Sequence, residues 1–377
     1  MKPIALAAAT LFATSLALAA QVAWSPPSLT LTEGPFMLSP RAGHQATALR
    51  SGQVLFTGGC AESGCDAVQR SAELFNPAGA DAGRYAAAGR MHEARVSHTA
   101  ALLPDGRVLL AGGWTGAATT ATTEWYDPQT RQFSRAAPMS VPRMDGTATL
   151  LADGKVLIVG GAPQTNRPSA TVDVFDPATN TMAAAAPLQT ARAHHAAVRL
   201  PDGRVLVVGG LVGRAVATAS AEIYDPQTGR FAPTGALSQP RCKLAALPLQ
   251  DGRVMVLAGS TDCNERRRLA STEIYDPRTG VFGPGPVLRN PRYKVASAAA
   301  VLPSGAVLIA GDAQDVEVWR PGEAQFSALA GRLAAGLAFS TATLLPDGQL
   351  LIAGGYDEDI APTAQSWRVA EAGLPAR

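Results

Sequence analysis

A segment of eleven or twelve residues recurs along the chain and constrains its fold more than any other feature. "LPDGRVLVVGG" occupies 200–210, and the close copies "LLPDGRVLLAGG", "LLADGKVLIVGG" and "LLPDGQLLIAGG" occupy 102–113, 150–161 and 344–355. In each copy, apolar runs flank Asp-Gly, two residue types that tolerate the positive φ of a tight hairpin turn. Because neighbouring copies lie roughly fifty residues apart, the size of one supersecondary repeat, the chain is predicted to be an array of similar units.

Other positions come into register when the chain is aligned on this segment. Six repeats open with an arginine, and the seventh aligns on a glycine: Arg41, Arg95, Arg143, Arg192, Arg241, Arg292 and Gly336. An acidic residue follows later in six repeats: Glu73, Glu124, Asp173, Glu222, Glu273 and Glu317. A position that recurs in almost every repeat serves each repeat alike, so we expect these two columns to pair at strand ends rather than to contact a ligand.

Each repeat contains four short apolar stretches, separated by Asp-Gly, Gly-Gly and Asp-Pro turn signals. Four antiparallel strands in about fifty residues match a β-propeller blade, in which each sheet covers the apolar face of its neighbour. The opening arginine, the Gly-Gly pair and the aromatic residues of strands 3 and 4 resemble kelch repeats over residues 28–370, and the LPDGRVLxxGG form resembles the central domain of galactose oxidase-like proteins. The resemblance implies an all-β fold, a seven-bladed kelch-type β-propeller with four antiparallel strands per blade.

The seventh repeat stops near Val369, after its third strand. Counting back from Arg41 places Leu31 and Met37 in the columns of a fourth strand, within the segment "SLTLTEGPFMLSP". We therefore expect residues 28–37 to complete the seventh blade and close the ring, which leaves no free circular edge. Residues 21–377 are predicted to form a single propeller domain, with blades opening near 41, 95, 143, 192, 241, 292 and 336.

The first twenty residues have the composition of a cleaved secretory signal. Lys2 precedes an apolar stretch from Ile4 to Leu18, and small residues stand at Ala17 and Ala19. The stretch is shorter than a bilayer span needs, and no later stretch is apolar for that length. We predict a signal peptide at residues 1–20, no membrane span, and a secreted or periplasmic protein.

Export would place the four cysteines in an oxidising compartment, where an even number favours disulfides. Four cysteines allow three pairings. Cys60 and Cys65 lie in one loop, and Cys242 and Cys263 fall at neighbouring strand ends of one blade. The expected bridges are Cys60–Cys65 and Cys242–Cys263.

The formal net charge is +2, with both signs interspersed along the sequence. Nucleic-acid binding requires a basic stripe that neutralises phosphates, and only the run Arg266, Arg267, Arg268 is locally basic. We therefore predict no nucleic-acid partner.

Chain direction sorts the loops onto two faces. The turn face carries the tight Asp-Gly and Asp-Pro turns, and the loop-rich face carries the strand 2 to strand 3 loops and the connections between blades. Variable loops on a rigid scaffold are where binding residues concentrate. Resemblance to kelch propellers implies that the residue two after each opening arginine, and three after Gly336 in the seventh repeat, lies beside the central channel on the loop-rich face. These mouth positions hold Gly43, Ser97, Asp145, His194, Lys243, Lys294 and Phe339.

The polar mouth residues are the candidate ligand contacts, because their identity changes from blade to blade: Ser97, Asp145, His194, Lys243 and Lys294. Three further candidates lie on rim loops. Trp114 is an aromatic contact for a partner or a cap on its own blade. A basic loop and an acidic loop flank the short loop of blade 6, and they either share a ligand or are separately solvated: Arg266, Arg267 and Arg268 in one, Asp357, Glu358 and Asp359 in the other.

Galactose oxidase-like enzymes use copper held by two tyrosines and two histidines, one tyrosine being cross-linked to a cysteine. None of the five histidines here is adjacent to a tyrosine, and His44, His98 and His195 share one column, which indicates a packing role. We predict no metal, no organic cofactor and no catalytic residue. The expected function is a non-catalytic binding module, monomeric, with a protein or carbohydrate ligand. The alternative is a carbohydrate-active enzyme that uses the central channel mouth, either mutarotase-like with acid-base chemistry or, ranked after it, galactose oxidase-like.

Overall fold

The computed structural model describes residues 29–371. The predicted signal peptide at residues 1–20 lies outside this range, so its cleavage stays a prediction. Within 29–371, no helix is long and apolar enough to cross a membrane. The helical elements are two short 3₁₀ turns, Ser63–Cys65 and Glu265–Arg267.

Each of the first three blades is a four-stranded antiparallel sheet with its strands in sequence order. Their strands are β2 Gln45–Ala48, β3 Val54–Thr57, β4 Ser71–Asn76, β5 Arg84–Arg90; β6 Thr99–Leu102, β7 Val108–Ala111, β8 Thr123–Asp127, β9 Gln132–Ala136; β10 Thr147–Leu150, β11 Val156–Val159, β12 Val172–Asp176, β13 Thr181–Ala184.

Blades 4 to 7 repeat this order, except that the chain's first strand, β1, forms the outer edge of blade 7. The strands are β14 Ala196–Arg199, β15 Val205–Val208, β16 Ala221–Asp225, β17 Arg230–Pro233; β18 Ala245–Pro248, β19 Val254–Leu257, β20 Thr272–Asp276, β21 Val281–Pro284; β22 Ala299–Val301, β23 Val307–Ile309, β24 Glu317–Trp319, β25 Ser327–Ala328; β26 Thr341–Leu344, β27 Leu350–Ala353, β28 Ser366–Glu371 and β1 Leu29–Glu33. The protein is an all-β, seven-bladed β-propeller.

The N-terminal strand closes the ring as predicted. β1 pairs antiparallel with β28, so that Leu31 lies opposite Val369 and Glu33 opposite Trp367. Just after the strand, the amide of Gly34 donates to the carbonyl of Ser366 at 2.8 Å. The last blade therefore has a full outer edge made from the start of the described chain.

The hydrophobic core is divided among the interfaces between blades. Seven principal clusters of buried side chains each combine residues from two adjacent blades; one of them joins Leu55 of blade 1 to Leu110 and Tyr126 of blade 2. The second strand of each blade is almost completely buried. Because one sheet cannot cover its own apolar face, each blade depends on its neighbours for stability.

The opening arginines are buried and form the predicted ion pairs. In blade 4, Arg192 Nη2 donates to Glu222 at 2.9 Å, and its Nη1 donates to the carbonyls of Gly209 and Ser220 at 2.8 and 2.9 Å. Glu222 also accepts the amide of Gln189 at 2.8 Å, which ties the incoming connection to the blade. The same pairing occurs in Arg41–Glu73, Arg95–Glu124, Arg143–Asp173, Arg241–Glu273 and Arg292–Glu317. Both columns are therefore structural.

The blade 7 opening lies at Leu337, next to the Gly336 given by sequence alignment. In blades 1 to 5 the carbonyl of the opening arginine approaches the first glycine of the preceding blade, and in blade 7 the carbonyl of Leu337 approaches Gly311. Leu337 is buried and packs in the core between blades 6 and 7. An apolar side chain thus replaces the arginine in blade 7.

The Gly-Gly pair is required where backbones of two blades approach. A Cβ atom on Gly209, whose φ is 67°, would lie 2.6 Å from the carbonyl oxygen of Arg241 in the next blade. A Cβ atom on Gly210 would lie 2.7 Å from the carbonyl oxygen of Ala193. Gly210 thus meets backbone of its own blade and Gly209 that of the next blade, which favours glycine at both positions. Blades 5 and 6 are the exceptions, with Ala258 and Asp312 in place of one glycine.

Both predicted disulfides are present. Cys60 bonds to Cys65 with 4.9 Å between their Cα atoms, and Cys242 bonds to Cys263 with 5.6 Å. Both bridges hold loops of the loop-rich face, one in blade 1 and one in blade 5.

Candidate functional site

The seven mouth positions form a ring of backbone hydrogen bonds around the channel. The amide of Asp145 donates to the carbonyl of Ser97 at 3.0 Å, His194 to Asp145 at 2.9 Å, and Lys243 to His194 at 2.9 Å. The chain of bonds continues through Phe339 to Gly43 and back to Ser97. Only blade 6 departs from it, because Val295 rather than Lys294 donates to the carbonyl of Lys243.

All seven mouth residues have left-handed backbone conformations, with φ between 52° at His194 and 64° at Gly43. For a residue with a side chain this conformation costs about 1–3 kcal/mol and persists only where the surroundings impose it. Here the ring of hydrogen bonds imposes it. Six blades therefore hold one side chain at the channel in the same backbone geometry, and blade 1 has Gly43 there. The chemistry of the side chain changes from blade to blade, except that blades 5 and 6 both have lysine.

A cavity of about 270 Å³, which we call the mouth cavity, lies inside this ring. All five predicted polar contacts line it and are half-buried: Ser97, Asp145, His194, Lys243 and Lys294. A two-residue insertion before strand β22 adds Ala296 and Ser297 to the wall in blade 6. The structure thus gathers residues that lie about fifty positions apart in the sequence.

His194 and Asp145 form a pair on one side of the mouth cavity, with 3.4 Å between Nδ1 and Oδ1. Burial lowers the pKa of His194, Asp145 opposes this shift, and Lys243 and Lys294 reinforce it. At neutral pH the imidazole is therefore uncharged. With Nδ1–H directed at the carboxylate, Nε2 would be the acceptor for a ligand hydroxyl or proton.

The two lysines on the other side are held by tyrosines. Lys243 Nζ donates to the hydroxyl of Tyr293 at 2.7 Å, and that hydroxyl donates to the carbonyl of Cys263 at 2.9 Å. Lys294 Nζ donates to the hydroxyl of Tyr356 at 2.6 Å. These contacts fix the positions of both ammonium groups at the cavity.

Sequence reasoning missed Tyr293 and Tyr356. A signal for each was present in the alignment: Tyr293 is the one aromatic among the residues that follow the opening position, which elsewhere are Ala, Val, Met or Cys. Tyr356 directly follows Gly-Gly, at the position held by Trp114 in blade 2. An aromatic residue directly after the opening position or directly after Gly-Gly is thus the pattern that identifies them.

A second cavity of about 380 Å³, which we call the apolar bowl, adjoins the mouth cavity on the loop-rich face. The two cavities share Gly43, Ser97 and Phe339. The bowl's side chains come from blades 7, 1, 2 and 3, and the larger apolar ones are Val96, Trp114, Met144, Phe339, Tyr356 and Ile360. The structure therefore places Trp114 beside the mouth.

The loop of blade 6 uses a carboxylate in place of a backbone bridge. Asp312 stands where other blades have the second glycine, and its Oδ2 accepts the amide of Tyr293 at 2.7 Å. Arg268 lies 3.4 Å from the same oxygen. Burial raises the pKa of Asp312 to about 6, against the opposing effect of Arg268. The basic loop of blade 5 thus contacts blade 6 through Arg268.

The remaining rim residues lie apart from the described linings of both cavities. Asp357 accepts the amides of Asp359 and Ala361, each at 3.0 Å, and so stabilises its own turn. Glu358 and Asp359 are exposed, as are Arg266 and Arg267. A shared ligand between the two loops stays a prediction.

Three histidines pack between blades, as their column indicated. His98 Nε2 is 2.9 Å from Thr57 Oγ1 of blade 1, and His44 and His195 make the same contact with threonines of their neighbours. Burial, together with nearby cations, lowers the pKa of each to about 3. Among residues 29–371, no group of three or more His, Cys, Asp or Glu side chains could hold a metal ion.

Comparison with known proteins agrees with this architecture. The model of the Kelch motif matches residues 95–140 and 192–234, which correspond to blades 2 and 4. A fungal alcohol oxidase of the AA5 family, solved in complex with copper, superposes with a TM-score of 0.71 at 18% identity, covering 90% of this chain and 76% of that one. YjhT superposes with a TM-score of 0.58 at 14% identity, covering 88% and 96%. No curated protein matches the sequence.

Proposed function

We propose that this chain, a kelch-repeat β-propeller, is an exported, non-catalytic binding protein that takes its ligand at the mouth cavity and the apolar bowl. One observation carries the proposal: the mouth ring repeats the same left-handed geometry in every blade while its side chains do not repeat. A feature needed only for folding would be filled alike in each blade, as the arginine and acidic columns are.

The chemistry of the site supports binding. Its polar groups are held in place by their neighbours, as Lys243 is by Tyr293 and His194 by Asp145. Positioned polar groups beside an apolar cavity of a few hundred Å³ are typical of small-ligand sites. Binding to groups that are already ordered costs less conformational entropy than binding to mobile ones.

Export is supported by the cysteines. All four form bridges, and chains of this kind are typical of oxidising compartments. Together with the signal-like composition of residues 1–20, this favours a secreted or periplasmic location. Mass spectrometry of the mature protein from its native host would give the first residue and test this part of the proposal.

The binding proposal is tested by replacing Asp145, His194, Lys243 and Lys294 together with Ala. Wild type and variant are screened against a glycan array and a library of small metabolites by thermal shift. A variant with Asp153 and Lys155 replaced by Ala on the turn face is the matched control. We expect ligands of the wild type to be lost only in the mouth variant; retention of every ligand by that variant would exclude the mouth as the site.

The second candidate is a carbohydrate-active enzyme, and the His194–Asp145 pair favours it. A neutral imidazole beside a carboxylate is equipped for proton transfer to or from a sugar hydroxyl. Exchange NMR on a panel of reducing sugars, with His194→Gln as the comparison, tests mutarotation. Metal analysis of the purified protein tests the oxidase possibility, since bound copper would favour that class.

A further inference from the structure

The two disulfides of the loop-rich face have different surroundings. Cys242 and Cys263 are 0% and 8% exposed and pack with two apolar residues of blade 4 in a small buried cluster. Cys65, by contrast, is half-buried, and the residues on both sides of it are exposed. Disulfide exchange requires a thiolate to reach one sulfur of the bridge. The Cys60–Cys65 bridge is therefore open to this reaction, and the other bridge is shielded by the core.

The Cys60–Cys65 bridge closes a short loop, with a sequence separation of 5 against 21 for the other bridge. A bridge that closes a short loop restrains the unfolded chain less than one that closes a long loop. At the base of this loop the amide of Ala61 donates to the carbonyl of Ala67 at 2.9 Å, and at its tip the amide of Cys65 donates to that of Glu62 at 3.1 Å. The effect of the bridge is thus concentrated in the loop itself.

The backbone at Cys65 has a conformation that a side chain disfavours. Gly64 and Cys65 are consecutive left-handed residues, with φ of 71° and 66°. Glycine adopts this conformation readily, whereas a residue with a Cβ atom keeps it only where its surroundings impose it. The bridge ties Cys65 to Cys60, which exchanges backbone hydrogen bonds of 2.8 and 3.1 Å with Ala42. Once the bridge is broken, we expect Cys65 to leave the left-handed region and the tip of the loop to move.

This loop forms the blade 1 wall of the apolar bowl. Cys60, Glu62, Gly64 and Cys65 line the bowl, and Trp114 of blade 2 lines it beside them. Movement of the tip would therefore change the shape of the bowl, while the backbone bonds of Cys60 keep the base of the loop on blade 1.

We propose that Cys60–Cys65 is a thiol-exchange site and that its oxidation state sets the blade 1 wall of the bowl. The reductant is a dithiol, whose first thiolate attacks Sγ of Cys65 and forms a mixed disulfide, so that Cys60 leaves as a thiolate. The second thiol of the reductant then attacks the reductant's own sulfur in the mixed disulfide and releases Cys65. The reductant ends as a disulfide, and the two cysteines take up two electrons and two protons. Only the effect on ligand binding rests on the proposed function, because the bowl is part of that site.

The first test measures which bridge is reduced in the folded protein. Native protein is incubated with graded dithiothreitol, free thiols are trapped with N-ethylmaleimide, and peptide mass spectrometry measures the label at each cysteine. We expect Cys60 and Cys65 to be labelled at least about tenfold faster than Cys242 and Cys263, because exchange at the buried bridge requires the core to open. Equal rates, or no label before the protein unfolds, would overturn the proposal.

The second test measures whether the wall moves. Hydrogen exchange compares oxidised with reduced wild type, and Cys60→Ser/Cys65→Ser without reductant is the matched variant that lacks the bridge permanently. We expect faster exchange across 61–67 in the reduced protein and in the variant, and unchanged exchange beside the Cys242–Cys263 bridge. Thermal unfolding checks that the variant folds. Unchanged exchange across 61–67 would show that the bridge does not set the wall.

Trp114 reports on the bowl without a ligand. Acrylamide quenching of fluorescence is measured for wild type and Trp114→Phe, each oxidised and reduced. The other tryptophans are common to both proteins, so the comparison isolates Trp114. Reduction should increase the quenching of Trp114 and leave that of the variant unchanged, whereas an unchanged contribution from Trp114 would contradict the opening of the bowl.

These outcomes are independent of the proposed function. None of the three measurements uses a ligand, so their failure leaves the mouth cavity as the proposed site. Retention of every ligand by the mouth variant, in turn, would exclude that site and leave the exchange chemistry of Cys60–Cys65 unaffected.

Discussion

Each opening arginine is a buried cation whose neutralisation depends on one carboxylate. Burial lowers the pKa of Arg192, and Glu222 opposes that shift through its charge and a hydrogen bond. Removing either partner leaves a buried charge without compensation, which costs more than an exposed ion pair contributes.

Replacement of Arg192 by Met should therefore lower the free energy of unfolding by about 3–5 kcal/mol. Arg204→Ala is the control, because Arg204 pairs with Asp202 at 2.7 Å in an exposed turn and should contribute less than about 1 kcal/mol. Urea unfolding of the three proteins measures the difference. Equal losses in the two variants would show that the buried pair has no special role.

The three interblade histidines should make stability depend on pH. Their pKa values are lowered to about 3 in the folded protein, whereas an unfolded histidine titrates near 6.5. Below about pH 6.5 the unfolded chain takes up protons that the folded chain does not. Lowering the pH therefore lowers the free energy of unfolding, by up to about 1.4 kcal/mol per pH unit for each histidine. Urea unfolding between pH 4.5 and 7.5 measures the slope, and His195→Gln should reduce it by about one proton; an unchanged slope would contradict this assignment.

Asp312 should act in the opposite direction. Its pKa is raised to about 6, so its stabilising effect is present below the unfolded value near 3.9 and is lost as pH rises through about 6. Asp312→Asn keeps an acceptor for the amide of Tyr293 without the buried charge. The variant should be more stable than wild type at pH 7.5, by up to about 3 kcal/mol, and equal to it near pH 4. Thermal unfolding at both pH values checks this, and a variant that is less stable at pH 7.5 would show that the pair with Arg268 dominates.

At the scale of the strand and turn, the repeated hairpin combines two kinds of glycine. Gly203 lies in the Asp-Gly turn, and a Cβ atom there would have no neighbour within 4 Å. Gly209 ends strand β15, where a Cβ atom would collide with the backbone of the next blade. Both glycines have positive φ, which disfavours a side chain at either position. Only Gly209 has a steric requirement in addition.

The two glycines give a matched comparison. Gly203→Ala should cost about 1 kcal/mol, the strain of a left-handed backbone with a side chain. Gly209→Ala should cost about 1–3 kcal/mol more, because blades 4 and 5 must shift to admit the methyl group, as the blades do at Ala258. Chemical denaturation of the two variants measures the difference, and similar losses would mean that the blades adjust without cost.

The strands and turns could be predicted from the sequence because they depend on residue types that recur in each repeat. The disulfides could be predicted because Cys60 and Cys65 share one loop and Cys242 and Cys263 lie at neighbouring strand ends. Alignment by residue type placed blade 7 at Gly336 because Leu337 lacks the arginine that marks the column. The role of Leu337 is visible only in its approach to Gly311 of the neighbouring blade. The apolar bowl and the contacts of Tyr293 and Tyr356 likewise depend on how adjacent blades meet, which a single sequence does not specify.

At the scale of the whole molecule, the ring depends on one strand from the start of the described chain. β1 covers β28, whose edge would otherwise expose unpaired backbone groups. A chain that begins at Gly34 lacks β1. Compared with a chain that begins at Gln21, it should have a lower melting temperature and should associate through the exposed edge of β28. Calorimetry and light scattering measure both effects, and a truncated protein as stable and monodisperse as the longer one would show that blade 7 does not need β1.

The closed ring also explains how one site can be assembled from all seven blades. Each blade contributes one mouth residue, and the backbone hydrogen bonds between them hold the cavity open in a fixed shape. Ligand binding should therefore require little rearrangement of the backbone.

The central claim is that the ligand binds inside this ring, and a crystal structure of the protein with a ligand found in the glycan and metabolite screen tests it most directly. We predict density for the ligand in the mouth cavity, extending into the apolar bowl. Density on the turn face or at the outer rim, with the mouth cavity holding only solvent, would contradict the account.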